Sequence, residues 1–170
     1  MSRDYRTVAK TVEHALEREP NASRERRMRI VVDALWDALH PTGVSWVGFY
    51  LPMTQDDYDA NGQWDGEGMV LGPRRDKPAC SPIGMHGACG QAYLSRTTLV
   101  VRDVKDLGAN YVACDPRDQS ELVVPCFADD GECWGIIDFD SFDVGSFTGA
   151  DAEGVVRVLE AAGLTSRVAV

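Results

Sequence analysis

Two runs of β-forming residues, 121–127 (ELVVPCF) and 133–140 (CWGIIDFD), flank Asp129-Asp130-Gly131. An Asp-Gly pair is a strong signal for a tight hairpin, because both central residues of a type I′ turn need positive φ. With Asp130 and Gly131 as a two-residue loop, Asp129 faces Glu132 and paired residue numbers sum to 261. Glu121 then falls opposite Asp140, Val123 opposite Asp138, and Phe127 opposite Trp134. Strand alternation puts Glu121, Asp138 and Asp140 on one face, and Ile137 and Phe139 on the other. Opposed side chains have Cβ atoms about 5 Å apart, a separation at which like charges repel. A solvated outer face tolerates such acids, but this face also carries Val123, Trp134 and Ile136. The expectation is therefore an acidic pocket in which one carboxyl keeps its proton near neutral pH. That carboxyl would suit a general acid, and the remaining anions would suit a cationic group such as an α-ammonium.

The rest of the chain supplies cover for this hairpin. Tyr5, Val8, Val12, Ala15 and Leu16 recur at helical spacing until Pro20-Asn21. Ser23 reads as the N-cap of a second helix with the apolar stripe Met28, Val31, Val32, Leu35, Trp36 and Leu39, ended by Pro41-Thr42-Gly43. Val44–Leu51 reads as a strand, Gln55–Gly66 as an extended acidic loop, and Met69–Leu71 as a strand closed by Gly72-Pro73. A loop-rich middle precedes a short helix through Gln91–Leu94 and a strand over Thr98–Val101, while Cys114–Asp118 reads as irregular. A last helix begins near Thr148 with Asp151 and Glu153 in its first turn. The pattern predicts one α+β domain over residues 1–170: a helical segment 1–40, an antiparallel sheet with site loops 44–140, and a C-terminal helix 148–163.

Charge narrows the function. The net charge of -10 argues against nucleic acid, which is held by Lys and Arg. Residues 1–40 carry a net +1 and residues 41–170 a net -11, so the acidity belongs to the body of the domain. No apolar run approaches a bilayer span, and the charged start lacks the apolar stretch of a secretory signal. A cytoplasmic protein with reduced thiols and no membrane partner is expected.

The chain has five cysteines. Cys126 and Cys133 fall in apolar strands and read as core. Cys80 and Cys114 fall in loops, and Cys89 just before a helix, where unpaired N–H groups are expected to lower a thiol pKa. Two chemistries fit the three loop thiols. One is redox cycling through a sulfenic acid that a second cysteine resolves. The other is zinc binding by Cys80, His86, Cys89 and Cys114, although no paired C-x-x-C knuckle is present. Gly84-x-x-Gly87-x-x-Gly90 matches neither the dinucleotide nor the phosphate-loop fingerprint. Its backbone N–H groups would suit a carboxylate.

Seven blocks, in order, resemble the free methionine-(R)-sulfoxide reductases, a branch of the GAF-domain superfamily. They are Trp46-x-Gly48-Phe49-Tyr50, Leu71-Gly72-Pro73, Lys77-Pro78-Ala79-Cys80, Gly87-Ala88-Cys89-Gly90, Ala113-Cys114-Asp115, Ser120–Pro125 and Gly135–Ser141. The resemblance implies a GAF fold that reduces free methionine sulfoxide, with Cys114 as nucleophile, Cys80 as main resolving thiol and Cys89 assisting. It implies Glu121, Asp138 and Asp140 as substrate-binding acids and Trp46 and Tyr50 as the aromatic wall. It further implies thioredoxin as reductant, a homodimer, and neither cofactor nor resident metal. The Cys80–Cys89 loop is one residue shorter than that family's form, His86 stands where an Arg is usual, and the stretch 56–67 is longer. The rival function is a non-catalytic GAF sensor for an amino-acid-like or nucleotide ligand.

Overall fold

The computed structural model describes residues 3–62, 64–111 and 114–166. Ala113 of the Ala113-Cys114-Asp115 block lies outside the described residues. Helix α1 (Tyr5–Glu17) starts at Asp4, whose side chain accepts the Thr7 N–H at 3.1 Å. Ser23 caps α2 (Arg24–Leu39) in the same way, accepting the Arg26 N–H at 3.2 Å, as the sequence predicts. After a 3-10 turn at His40–Thr42 come β1 (Val44–Pro52), α3 (Gln55–Ala60), β2 (Gly68–Arg75), β3 (Ile83–Gly84) and α4 (Ala88–Ser95). The chain continues through β4 (Leu99–Val101), a 3-10 segment at Val104–Asn110, β5 (Ser120–Phe127), β6 (Cys133–Ser141) and α5 (Gly149–Ala161). All strand pairs are antiparallel, in the order β3-β2-β1-β6-β5-β4.

Alternation divides this sheet into two chemically different faces. Val47 and Phe49 of β1, Leu122 and Val124 of β5, and Ile137 and Phe139 of β6 point to one side. They are sealed by α1, α2 and α5, with Val31, Leu35, Val155 and Leu159 wholly buried among them. Each such side chain contributes roughly 1.5–3 kcal/mol of transfer free energy, so the fold is anchored here. Asp151 locks the termini together: it accepts the Thr148 N–H at 2.8 Å, the Tyr5 hydroxyl at 2.9 Å and an Arg3 N–H at 3.1 Å. The opposite face carries Trp46, Tyr50, Val123 and Ile136, covered by α4 and by loops. The candidate site lies on this thinly covered face. Among the described residues no helix is long and apolar enough to cross a membrane.

The α+β fold and the acid register follow the sequence, with corrections. The β5–β6 loop has three residues, because Ala128 accepts the Gly131 N–H at 2.9 Å and donates to the Glu132 carbonyl at 2.8 Å. Gly131 alone takes positive φ there, at 86°, which a side chain would resist. A bulge between Cys126 and Phe127 then restores the 261 pairing that this longer loop had shifted. Phe127 consequently faces Cys133 instead of Trp134. The bulge also turns Trp134 to the helix-covered face, where it stacks on Phe49 at 6.2 Å. Cys126 is core, but Cys133 is only half-buried.

Other departures lie earlier in the chain. The expected loop 55–66 contains α3, started by a reciprocal Thr54–Asp57 capping box. Strand β2 runs on through Gly72-Pro73, where an irregularity opposite Gly48–Tyr50 tolerates a residue without an N–H.

Candidate active site

The aromatic wall comes from one strand. Trp46 and Tyr50 are two positions either side of Gly48 on β1, so all three face the same way. A Cβ at Gly48 would lie 2.3 Å from the Trp46 ring and 2.9 Å from the Arg74 Cβ, so only glycine lets the indole lie across the strand. The two rings stand 6.1 Å apart. Trp46 Nε1 donates to the Lys77 carbonyl at 2.9 Å, and the Tyr50 hydroxyl donates to the Cys80 carbonyl at 2.8 Å. The wall thereby also fixes the loop that carries Cys80.

The acids occupy the two neighbouring strands. Glu121 is paired with Asp140, which is paired on its other side with Trp46; Asp138 is paired with Gly48 and Val123. Burial pushes Glu121 and Asp140 well above the usual carboxylate range, and the charge of Asp138 pushes both further. Burial raises Asp138 to about 7, while hydrogen bonds from Cys89 and Glu121 oppose the rise. The cluster thus carries a proton at neutral pH. Asp138 Oδ1 is buried without a hydrogen-bond partner.

The thiols separate by depth. Cys89 is the second residue of α4 and buried, with its Sγ 3.9 Å from Glu121 Oε1. Burial and three nearby acids raise its pKa well above that of a free thiol, which outweighs the lowering expected at a helix N-terminus. Cys80 and Cys114 are exposed, and Cys80 stands close enough to act on the Cys114 thiol. Burial of the Cys114 sulfur and the Cys80 contact raise the Cys114 thiol to about 12.

These groups surround a cavity of about 40 Å³, lined by Trp46, Tyr50, Cys89, Cys114 and the three acids, together with Gly87, the N-cap of α4, and Ala88, its first residue. An outer hollow of about 230 Å³ shares Trp46, Cys114 and Asp140 with it and is edged by Lys77 and Arg117. All eight residues singled out in the sequence except Cys80 line the inner cavity, and Cys80 adjoins it through Cys114. The zinc set of Cys80, His86, Cys89 and Cys114 is not assembled; His86 is an exposed loop residue.

The family comparisons match this geometry. The profile of the GAF domain family matches residues 23–165. The free methionine-R-sulfoxide reductase of Saccharomyces cerevisiae is 33% identical over 122 residues, which cover 70% of this chain and 62% of that protein. The substrate complex of the Neisseria meningitidis free methionine-R-sulfoxide reductase superposes with a TM-score of 0.75 at 30% identity, covering 94% of this chain and 86% of that one. The chain belongs to the GAF domain family, in its free methionine-R-sulfoxide reductase branch. The corresponding Staphylococcus aureus protein, also with substrate, superposes at 0.78 with 28% identity, covering 96% and 95%.

For a GAF domain of this branch, the sequence left several pocket residues unnoticed. Asp118 and Tyr111 line the inner cavity. Asp118 accepts from Ser45 Oγ at 3.3 Å and is raised by burial and by Asp115 to about 6. Lys77 and Arg117 both bind Asp115, which they hold far below the usual carboxylate range. Lys77 and Asp115 stand in two of the family-like blocks, whereas no spacing or period pointed to Tyr111, Arg117 or Asp118.

Proposed function

We propose that the chain reduces free L-methionine-(R)-sulfoxide to methionine by thiol chemistry. The observation that carries this reading is the exposed, neighbouring Cys80–Cys114 pair, with Cys114 lining a proton-bearing acid pocket. In the proposed cycle, the Cys114 sulfur attacks the sulfoxide sulfur while the sulfoxide oxygen takes one proton from the acid cluster, which the thiol proton replenishes. A thiol held up to about 12 suits this, because the sulfoxide oxygen itself receives a proton and no free thiolate need accumulate. That hydroxyl passes to the Cys114 sulfur as the sulfur–sulfur bond breaks, so methionine leaves and Cys114 remains as a sulfenic acid. The Cys80 thiol then attacks the Cys114 sulfur, expelling water and forming a disulfide. A thioredoxin-type dithiol reduces that bond and becomes a disulfide itself. Cys89, buried against Glu121, is second in line behind Cys80 as resolving thiol.

The same proposal gives substrate selection. A free amino acid offers an ammonium to Glu121, Asp138 and Asp140, and a carboxylate to the backbone around Gly87 and Ala88. A methionine inside a peptide has neither. Trp46 and Tyr50 would flank the side chain. Substrate complexes of the N. meningitidis and S. aureus relatives support this choice of ligand. Family membership is also the ground for proposing a cytoplasmic homodimer, which the particle mass in solution checks.

Thioredoxin-coupled consumption of NADPH with free methionine sulfoxide tests the reaction. Wild type is expected to turn over and Cys114→Ser to be inactive. Ligand binding without turnover by folded wild type would replace this proposal with the sensor function.

A further inference from the structure

We propose that the floor of this pocket also binds a borderline-soft divalent cation, zinc foremost, through Cys89, Glu121 and Asp138. The three come from α4, β5 and β6, are all buried, and each offers a donor atom within 4.8 Å of the other two. Cys89 Sγ lies 3.9 Å from Glu121 Oε1. With Zn–S near 2.3 Å and Zn–O near 2.1 Å, a tetrahedral sulfur–oxygen edge is about 3.6 Å, so small side-chain adjustments close the site. One sulfur and two carboxylates select zinc over magnesium or calcium, which prefer oxygen throughout.

Asp138 Oδ1 is an independent pointer to a cation. The residue is 5% exposed and lines the cavity, yet this oxygen has no hydrogen-bond partner. A buried acceptor left unpaired is costly, and a cation between it, Glu121 and Cys89 would satisfy it. The adjoining cavity of about 40 Å³ accommodates the water that a three-ligand zinc site keeps in its fourth position. This set differs from the one suggested by the sequence: it uses the buried thiol and the acids, and leaves Cys80 and Cys114 free. Because the cation takes the carboxylates assigned above to the substrate ammonium, zinc and amino acid exclude each other. That exclusion rests on the reductase proposal; the cation site itself does not.

Zinc titrated into the reduced, metal-free full chain against a chromophoric chelator tests the site. Cobalt absorption serves as a second reading, since a thiolate ligand gives a charge-transfer band. One cation per chain is expected. Cys89→Ser and Asp138→Asn should each weaken binding by about tenfold or more, as losing a ligand costs at least what losing a supporting group does. The double variant Cys80→Ser/Cys114→Ser should leave it unchanged. Circular dichroism melts establish that each variant is folded. Absence of stoichiometric binding, binding that survives both single changes, or binding lost in the double variant would overturn the proposal. The titration contains neither sulfoxide nor reductant, so failure of the reductase reading leaves its outcome legible. If both hold, zinc raises the apparent KM for the sulfoxide and spares kcat.

Discussion

Glu121 and Asp140 are directly opposed on the β5–β6 ladder, with Trp46 closing the far side of Asp140. Placing two carboxyls at adjoining positions on a buried face works against stability, because neither ionises freely. What the arrangement provides is a proton stored inside a pocket, beside the thiol assigned above to the proposed attack. The acids that build the chemistry therefore strain the fold, and removing one should separate the two effects.

Asp118 is the most direct place to see this. Its pKa is about 6 in the folded chain, against 3.8 as the ordinary value. The folded state thus binds the proton more tightly, and the ionised form opposes folding. That opposition is complete above pH 6, fades as pH falls, and is gone below 3.8. Asp118→Asn is expected to raise Tm by roughly 2–4 °C at pH 7.5, with the gain vanishing near pH 3.5. A lower Tm for the variant at pH 7.5 would contradict the assignment.

Cys114 alkylation gives a second pH test. With the thiol raised to about 12, its reaction with iodoacetamide should climb about tenfold per pH unit from pH 6 to 9 without levelling. A plateau below pH 8 would mean the thiolate is already formed, and that the proton transfer proposed above is unnecessary.

Cys80→Ser separates the two halves of the proposed cycle. Reduction of the sulfoxide needs only Cys114, so one methionine per chain should still appear in a single turnover. Steady thioredoxin-coupled turnover should fall by about tenfold or more, with Cys114 trapped as sulfenic acid. Unimpaired steady turnover would move the resolving role to Cys89.

Gly48→Ala probes the aromatic wall. The added methyl would meet the Trp46 ring at 2.3 Å and the Arg74 Cβ at 2.9 Å. Overpacking of this kind costs about 1–3 kcal/mol. Displacing the indole should also raise KM several-fold, since Trp46 holds the Lys77 carbonyl as well as flanking the pocket. An unchanged melt and KM would show that the strand has room that the structure lacks.

The acid face was legible in the sequence because strand alternation and an Asp-Gly turn fix which side chains share a side. The register survived a wrong turn type: the extra loop residue and the bulge at Phe127 cancel before Glu121 is reached. Trp134 lies within the disturbed stretch, so its face was misread. Spacing does not report depth. Cys89 therefore read as an activated thiol at a helix start, whereas burial beneath that helix dominates its chemistry. Asp118 and Lys77 reach the site from irregular loops, which carry no periodicity to place them. The grouping of blocks from Trp46 to Ser141 came from family resemblance, which recognises such loops where period cannot.

The reaction itself is tested most directly by following separated R and S epimers of free methionine sulfoxide, and an R-sulfoxide within an N-acetylated peptide, with excess dithiol. Chiral chromatography should show only the free R epimer disappearing, with methionine formed in equal amount. Persistence of the free R epimer, or equal consumption of the blocked peptide, would contradict a pocket built to read a free ammonium with Glu121, Asp138 and Asp140.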